Sequence, residues 1–321
     1  ILGMHRSGTS LVAGALAAQG YRVGEPADLL DSQPDNPMGF FERRDVVQLN
    51  DRLLDDAGMS WRCPVGGEVT SSGAASEIQQ LLQGLAPGPW LLKDPRLAVT
   101  WPAWSAGLEE AVIVYVYRSA EAVAASLRAR NAFPIDYGLA LWEHYNRAIL
   151  TVPGKRPFVA LSYDALADSP AGVWQSVLDR LASLGCSVAD PETGPGFETA
   201  MNHGGTSGEI SALMTDAQRA LAACALSTVE SQLPPAELPP ATPGLAARLA
   251  DFATTFQQNQ LMAQLQTELA ELGEDRSKLL ETHTALEREH AELSVAARTD
   301  RDELERLRPL LEEERERAQS E

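Results

Sequence analysis

Short, almost wholly apolar runs recur through the first 230 residues and alternate with helix-like segments. Such runs predict strands of a parallel sheet, because strands that are buried on both faces carry few polar residues. The helix-like segments between them are typical of βαβ crossovers. Residues 1–230 are therefore predicted to form one α/β domain, a P-loop-type parallel sheet flanked by helices. The predicted strands are ILG at 1–3, WLLKD at 90–94, AVIVYVYR at 111–118 and FVALSY at 158–163.

Three segments of different composition predict irregular structure. Residues 62–76 are rich in Gly, Ser and Pro, and FETAMNHGGTSGEIS at 197–211 is rich in Gly and Ser, so both predict loops. SQLPPAELPPATPG at 231–244 predicts a semi-stiff linker, because proline does not fit a helix interior and stiffens an extended chain.

Beyond the linker, residues 245–321 follow a seven-residue leucine repeat that predicts a coiled-coil helix. Arg276, His283 and His290 interrupt the second core position, and a solvated single helix is the alternative. We favour pairing, and we predict a homodimer through residues 260–311. The repeat positions are Leu265, Leu272, Leu279, Leu286, Leu293, Asp300 and Leu307, and the second core positions include Met262, Leu269, Leu304 and Leu311.

Composition limits the class of protein. The 321 residues are 44% hydrophobic and 22% charged, enough for one substantial domain with an extension. The net charge of −19 argues against a nucleic-acid partner. Three widely spaced cysteines form neither a metal cluster nor a disulfide framework and favour the reducing cytoplasm. No apolar run predicts a membrane span. The chain starts at Ile1 inside a predicted strand, so an upstream signal or anchor stays open.

The segment GMHRSGTS at 3–10 has the G-x-x-x-x-G spacing of a phosphate-binding loop, between an apolar run and an alanine-rich helix. Its backbone N–H groups and the following helix start favour an anion. Thr9 and Ser10 stand where a nucleotide triphosphatase has Lys and Ser/Thr, and Arg6 supplies a cation inside the loop. Arg6, Ser7, Gly8, Thr9 and Ser10 are the predicted anion-binding residues.

A second anion site is predicted where the run 111–118 ends. Arg118 stands where an ATPase strand would carry the aspartate that holds Mg²⁺, which favours an anion over a metal. Ser126 follows eight residues later on a predicted helix, and the two residues could together bind a second phosphate. The alternative is a surface cation and a helix-face hydroxyl. Trp142 and Tyr145 are candidates to line the site, although aromatic residues at this spacing are more often core.

Candidate catalytic residues lie in two further segments. Lys93 ends the run 90–94, at the sheet edge where ligands of open α/β sheets gather. Its neighbour Asp94 is expected to fix the loop or pair with Arg96. Glu42 follows Phe40 and Phe41, which could raise the pKa of its carboxyl group and make it a general base. The alternative is that Glu42 only pairs with Arg43, with Arg44 or with a helix start.

Glu25, in YRVGEP at 21–26, is a second candidate for the base because it lies closer to the loop along the chain.

Together these residues resemble the sulfotransferases that use 3′-phosphoadenosine 5′-phosphosulfate (PAPS). GMHRSGTS resembles their 5′-phosphosulfate loop, with Arg6 at the position of the cation that contacts the sulfuryl donor. YRSAEAVAAS at 117–126 resembles their 3′-phosphate motif, with Arg118 and Ser126 at the matching spacing. LSYDAL at 161–166 resembles a later Tyr-[Glu/Asp]-x-Leu element.

KDPR at 93–96 and NPMGFFE at 36–42 are similar to segments of the tyrosylprotein-like and bacterial carbohydrate-type branch. The resemblance covers about residues 1–190 and omits the coiled coil. One element departs from the pattern, because MNHGGTSGE at 201–209 does not match the glycine-rich RxGxxGDWK element of the cytosolic branch.

The resemblance implies a metal-independent sulfotransferase that uses PAPS as co-substrate. Arg6, Lys93 and Glu42 would be catalytic, with Glu42 or Glu25 as the base. The acceptor would be a small molecule or a glycan, and a glycan is favoured. Two readings from other classes stay open, a P-loop nucleotide kinase or nucleotidase and a non-catalytic coiled-coil assembly protein.

Overall fold

A computed structural model describes residues 1–33, 36, 38–71, 73–85, 88–154, 156–186 and 208–320. The described chain is mostly helical, with a small two-stranded parallel sheet and a long C-terminal helix. The strands are β1 (Ile113–Tyr117) and β2 (Phe158–Ser162). The helices are α1 (Thr9–Ala18), α2 (Arg44–Asp56), α3 (Ala75–Gln83), α4 (Leu97–Trp104), α5 (Ala120–Asn131), α6 (Ile135–Thr151), α7 (Tyr163–Asp168), α8 (Pro170–Ser183), α9 (Gly208–Leu213), α10 (Asp216–Ser231) and α11 (Leu245–Ser320).

The last two predicted strands, at 111–118 and 158–163, form β1 and β2. They pair in parallel, with Tyr115 opposite Ala160. The first predicted strand contributes a single parallel bridge, in which the Leu2 N–H donates to the Val114 carbonyl and the Val116 N–H donates to the Leu2 carbonyl, each over 2.8 Å. The four predicted runs therefore do not form a four-stranded sheet. The first run makes only one bridge because the chain turns directly after it into the loop from Gly3 to Gly8.

The run 90–94 likewise makes one bridge instead of a strand. Trp90 pairs in parallel with Arg22, and the Leu91 N–H donates to the Arg22 carbonyl over 2.9 Å. Pro95 follows closely and has no N–H to extend a ladder, so the chain turns into α4.

Both faces of β1 are covered, as the apolar run predicts. Ile113, Tyr115 and Tyr117 pack into a cluster with α5 and α6. Val114 and Val116 pack into a second cluster with α1 and α8. Successive strand side chains point to opposite faces, so this alternation places helices on both sides of the sheet.

The proline-rich segment 231–244, for which the composition predicts a semi-stiff linker, packs against α6. Arg147 donates to the carbonyls of Pro239 and Pro240, at 2.8 and 2.5 Å. The buried Glu143 carboxylate accepts from the Thr242 N–H over 2.8 Å. Side chains of α6 therefore bind backbone carbonyls and an N–H group of this segment, and these bonds hold it against the helix.

The chain divides into two compact units, residues 1–256 and 257–321. The first three turns of α11 and the segment 231–244 therefore belong to the globular unit, beyond the predicted boundary at 230. Leu249 is fully buried. Phe252 and Phe256 contact the rings of Tyr137 and Phe133, with centroids 5.5 and 4.9 Å apart.

In the second unit, the leucines of the seven-residue repeat are exposed along a continuous helix. None of the described helices combines the length and the apolarity needed to cross a bilayer. Residues 197–207 of the loop predicted at 197–211 lie outside the described residues, and its last residues begin α9. The described part of 62–76 contains no helix or strand before α3 begins at Ala75.

Candidate functional site

The loop from Gly3 to Gly8 needs a glycine at each end. A Cβ atom on Gly3 would lie 2.5 Å from Thr9 Cγ2 and 2.9 Å from the Val116 carbonyl oxygen. Gly8 has φ +86°, a left-handed conformation that favours glycine, and a side chain there would collide with the Tyr163 ring. The glycine spacing therefore reflects close packing on β1 and on α7.

The loop ends at the start of α1. Gly8 caps this ten-residue helix and has no side chain that could accept hydrogen bonds from its first N–H groups. The first N–H groups of a helix have no intrahelical acceptor, and they carry the positive end of its dipole. Ser7 and Thr9 are buried beside them, and Ser10 is partly exposed. These groups are available to an anion.

Arg6 connects the loop with the predicted second anion site. Its Nε donates to the Ser126 hydroxyl over 3.0 Å, and its carbonyl accepts from Arg118 Nη1 over 2.8 Å. The Arg6 backbone has φ +70°, a strained conformation for a residue with a side chain. Contacts from α5 and from the end of β1 hold it there. The structure thus brings Arg6, Arg118 and Ser126 together.

Arg118 is held from three sides at the end of β1. Its guanidinium lies 4.5 Å from the centroid of the Tyr163 ring. The Trp142 indole donates to its carbonyl over 2.9 Å, and the next N–H, of Ser119, donates to the Asp164 carboxylate over 3.0 Å. Tyr163 and Asp164 belong to the LSYDAL segment. Their positioning role could not be predicted from the sequence, because it depends on β2 lying beside β1.

A second group of predicted residues meets at Ser10, in the first turn of α1. Lys93 Nζ donates to the Ser10 hydroxyl over 3.1 Å and forms an ion pair with the Glu42 carboxylate. Lys93 and Glu42 are 3% and 7% exposed, so little water screens the pair. Burial raises the pKa of Glu42 above its usual range, and the charge of Lys93 opposes that rise. A carboxylate in this setting is a stronger base than an exposed one.

Loop KDPR is fixed by buried polar contacts. Asp94 accepts from the Arg96 N–H and Nη1, over 3.0 and 3.1 Å, which is the pairing that the sequence predicts. Asp94 also accepts from the Asn50 amide over 2.8 Å, and the Asn50 oxygen accepts from the Trp104 indole over 2.8 Å. This network fixes the residue beside Lys93.

The remaining sequence candidates lie elsewhere. Glu25 is exposed just before a short 3₁₀ turn, at Pro26–Asp28, while Glu42 is the carboxylate that reaches Lys93. Trp142 and Tyr145 are fully buried. They are core residues, although Trp142 still binds the Arg118 carbonyl.

His5, inside the glycine loop, was missed by the sequence reasoning. Its ring lies 4.5 Å from that of Trp61 and 5.6 Å from that of Tyr145, measured between centroids. Burial, followed by the positive charges of Arg96, Lys93, Arg130 and Arg6, lowers its pKa well below the usual range. The imidazole is therefore neutral at pH 7. A histidine between the loop's first glycine and its arginine was the available signal.

Among the residues that the structure describes, no three His, Cys, Asp or Glu side chains are arranged to hold a metal ion. Comparisons with family models, with curated proteins and with solved structures found no match to this chain.

Proposed function

We propose that this protein is a PAPS-dependent sulfotransferase with a P-loop-type α/β domain. The contact of Arg6 Nε with the Ser126 hydroxyl, at 3.0 Å, is the observation that carries the proposal. It joins the loop expected to hold the 5′-phosphosulfate to the motif expected to hold the 3′-phosphate. A donor with phosphate groups at both ends of its ribose needs these two anion sites close together.

In the proposed reaction, the acceptor hydroxyl oxygen forms a bond to the sulfur atom of PAPS. The bond from sulfur to the bridging oxygen of the 5′-phosphate breaks, and adenosine 3′,5′-bisphosphate leaves. Glu42 accepts the hydroxyl proton, and its raised pKa supports this role. Glu42 is favoured over Glu25 as the base because Glu42 contacts Lys93, whereas Glu25 is exposed.

Cationic groups would stabilise the transferring group. Arg6 and Lys93 would bind the sulfuryl oxygens and the leaving phosphate, together with the N–H groups at the start of α1. Ser7, Gly8, Thr9 and Ser10 would complete this cradle. Arg118 and Ser126 would hold the 3′-phosphate, a group that PAPS has and ATP lacks.

A nucleotide kinase is the main competing function, because G-x-x-x-x-G loops also bind ATP. Thermal-shift titration separates the two. We expect adenosine 3′,5′-bisphosphate to raise the unfolding temperature and ATP with Mg²⁺ to have little effect. Transfer of labelled sulfate from PAPS to a panel of glycans, with and without EDTA, tests the reaction itself. Stabilisation by ATP–Mg²⁺ alone, or transfer that EDTA abolishes, would contradict the proposal.

We also propose that α11 pairs with a second copy of this chain. In the repeat, Leu272, Leu279 and Leu293 are 67%, 70% and 64% exposed. A single chain therefore leaves a row of apolar side chains in contact with water. The heptad spacing suits a matching helix, and each fully buried leucine contributes roughly 1.5–3 kcal/mol. If the protein had no catalytic role and only assembled through α11, adenosine 3′,5′-bisphosphate would not bind to it.

A further inference from the structure

Two buried polar atoms near the loop have no hydrogen-bond partner among the described residues. They are Nε2 of His5 and Nε of Arg62. Leaving a buried polar group unpaired is unfavourable, so such a group calls for an explanation. Both atoms belong to one stack of side chains, His5–Trp61–Arg62, in which Trp61 contacts the other two.

This stack is held rigidly. The His5 and Trp61 ring centroids are 4.5 Å apart, and the Arg62 guanidinium lies 5.3 Å from the Trp61 ring centroid. The Tyr145 hydroxyl donates to the Trp61 carbonyl over 2.9 Å, and the Tyr137 hydroxyl donates to the Arg62 carbonyl over 2.5 Å. The two tyrosines lie two turns apart on α6, so one helix face fixes both backbone positions.

Several positive charges act on the stack. Charges of Arg96, Lys93, Arg130 and Arg6 all act on the His5 imidazole. Carboxylates offset part of this charge, because Lys93 forms an ion pair with Glu42, and Arg96 forms ion pairs with Asp51 and Asp94. Lys93 and Arg6 also belong to the proposed reaction site. The stack therefore borders the place where an acceptor would meet the sulfuryl group.

We propose that the His5–Trp61–Arg62 stack binds the acceptor and selects an anionic one, a hydroxyl compound that carries a carboxylate or sulfate group. Arg62 binds the anionic group, since a guanidinium matches two oxygens at once. His5 is a neutral hydrogen-bond partner for the acceptor hydroxyl. The inference rests on the proposed function, because it places the acceptor beside the donor site.

The test compares two arginines that have the same aromatic contact. Arg156 lies 5.3 Å from the ring centroid of Trp101, as Arg62 does from Trp61. Arg62→Ala is compared with Arg156→Ala in the full chain by isothermal titration. The probes are a glucuronate-containing disaccharide, a sulfated disaccharide and a neutral disaccharide of the same size, each with and without saturating adenosine 3′,5′-bisphosphate. The bisphosphate is also titrated alone.

We expect the charged probes to bind the unmodified protein more tightly than the neutral one. Arg62→Ala should weaken the charged probes about tenfold or more, as expected for a lost charged hydrogen bond. Arg156→Ala should not. The affinity for bisphosphate should stay within about twofold in both variants, since neither arginine touches the donor site. Whether the carboxylate or the sulfate probe binds more tightly identifies the anionic group.

Equal binding of charged and neutral probes, or equal losses in the two variants, would overturn the inference. Weaker bisphosphate binding in Arg62→Ala would assign Arg62 to the donor and also overturn it. If bisphosphate binds no form of the protein, the proposed function fails. Selective loss of charged probes in Arg62→Ala would then still support an anion site. Arg62→Lys, which keeps the charge, serves if Arg62→Ala is unfolded.

His5→Phe provides a separate readout, because it keeps a ring against Trp61 and removes both nitrogens. We expect kcat with the charged acceptor to fall while the KM for PAPS stays unchanged. A fall in thermal stability with unchanged kcat would show that His5 only packs against Trp61, and would overturn its role in binding the acceptor.

Discussion

The Arg6 guanidinium donates from Nε to the Ser126 hydroxyl over 3.0 Å, across 120 residues of sequence. This bond fixes the side chain of a loop residue that has a left-handed backbone. If the proposed function is correct, Arg6 is held ready for the sulfuryl group before the donor binds. Preorganised donors of this kind lower the barrier without reorganising during the reaction.

Replacing Arg6 tests this role. We expect Arg6→Ala to lower kcat for sulfuryl transfer by roughly 10²- to 10³-fold, the usual effect of removing one positioned donor. Arg44→Ala, in a partly exposed side chain at the start of α2, is the control. Thermal unfolding verifies that both variants fold. Near-normal turnover in Arg6→Ala would contradict the sulfotransferase proposal.

Arg118→Ala should act on donor binding. We expect the KM for PAPS to rise by about tenfold or more, because a charged contact with the 3′-phosphate is lost. Discrimination against adenosine 5′-phosphosulfate, which lacks the 3′-phosphate, should shrink. Steady-state kinetics with the two donors measures this. An equal loss of activity with both donors would show that Arg118 acts through the Arg6 carbonyl alone.

Glu42→Gln should lower kcat, because an amide cannot accept the acceptor proton. Glu25→Gln, in an exposed carboxylate of the same size, should leave it unchanged. The base acts when deprotonated, and burial raises the pKa of Glu42. Activity should therefore fall, as pH decreases, at a higher pH than for an exposed carboxylate. The pH profile of kcat measures this limb, and a limb that persists in Glu42→Gln would assign it elsewhere.

His144 should make stability depend on pH. Burial lowers its pKa from 6.5 to about 4, against a smaller opposite effect of the Glu143 charge. Between these values the unfolded chain binds the proton and the folded chain does not, so stability falls as pH decreases. We expect a loss of about 1–2 kcal/mol at pH 5 relative to pH 7.5. His144→Gln should lose that much less, as measured by urea unfolding at both values.

Truncation should separate assembly from folding. We expect a chain ending at Phe256 to be monomeric and stable, because it keeps Leu249 and Phe252 in the core. A chain ending at residue 240 should be less stable, since it loses these contacts. The full chain should sediment as a dimer, and Leu279→Glu should weaken it. Dimerisation of the 1–256 chain, or a monomeric full chain at micromolar concentration, would contradict pairing through α11.

Local sequence signals predicted those parts of the molecule that depend on near neighbours in the chain. Two almost wholly apolar runs formed the strands β1 and β2, since a pattern with few polar positions suits burial on both faces. The leucine repeat predicted the long helix α11. The glycines at 3 and 8 predicted a tight loop before α1, because glycine adopts backbone conformations that other residues rarely adopt.

Tertiary structure decided which distant residues meet. Ser126 is far from Arg6 in the sequence, and Glu42 is far from Lys93, so neither contact could be predicted from separation along the chain. Both contacts follow from how α1, α5 and the sheet pack together. Prolines predicted an extended segment at 231–244, but only folding placed Arg147 where it could bind their carbonyls. Composition describes the local stiffness of a chain, whereas contact energies arise from surfaces that come together only in the folded molecule.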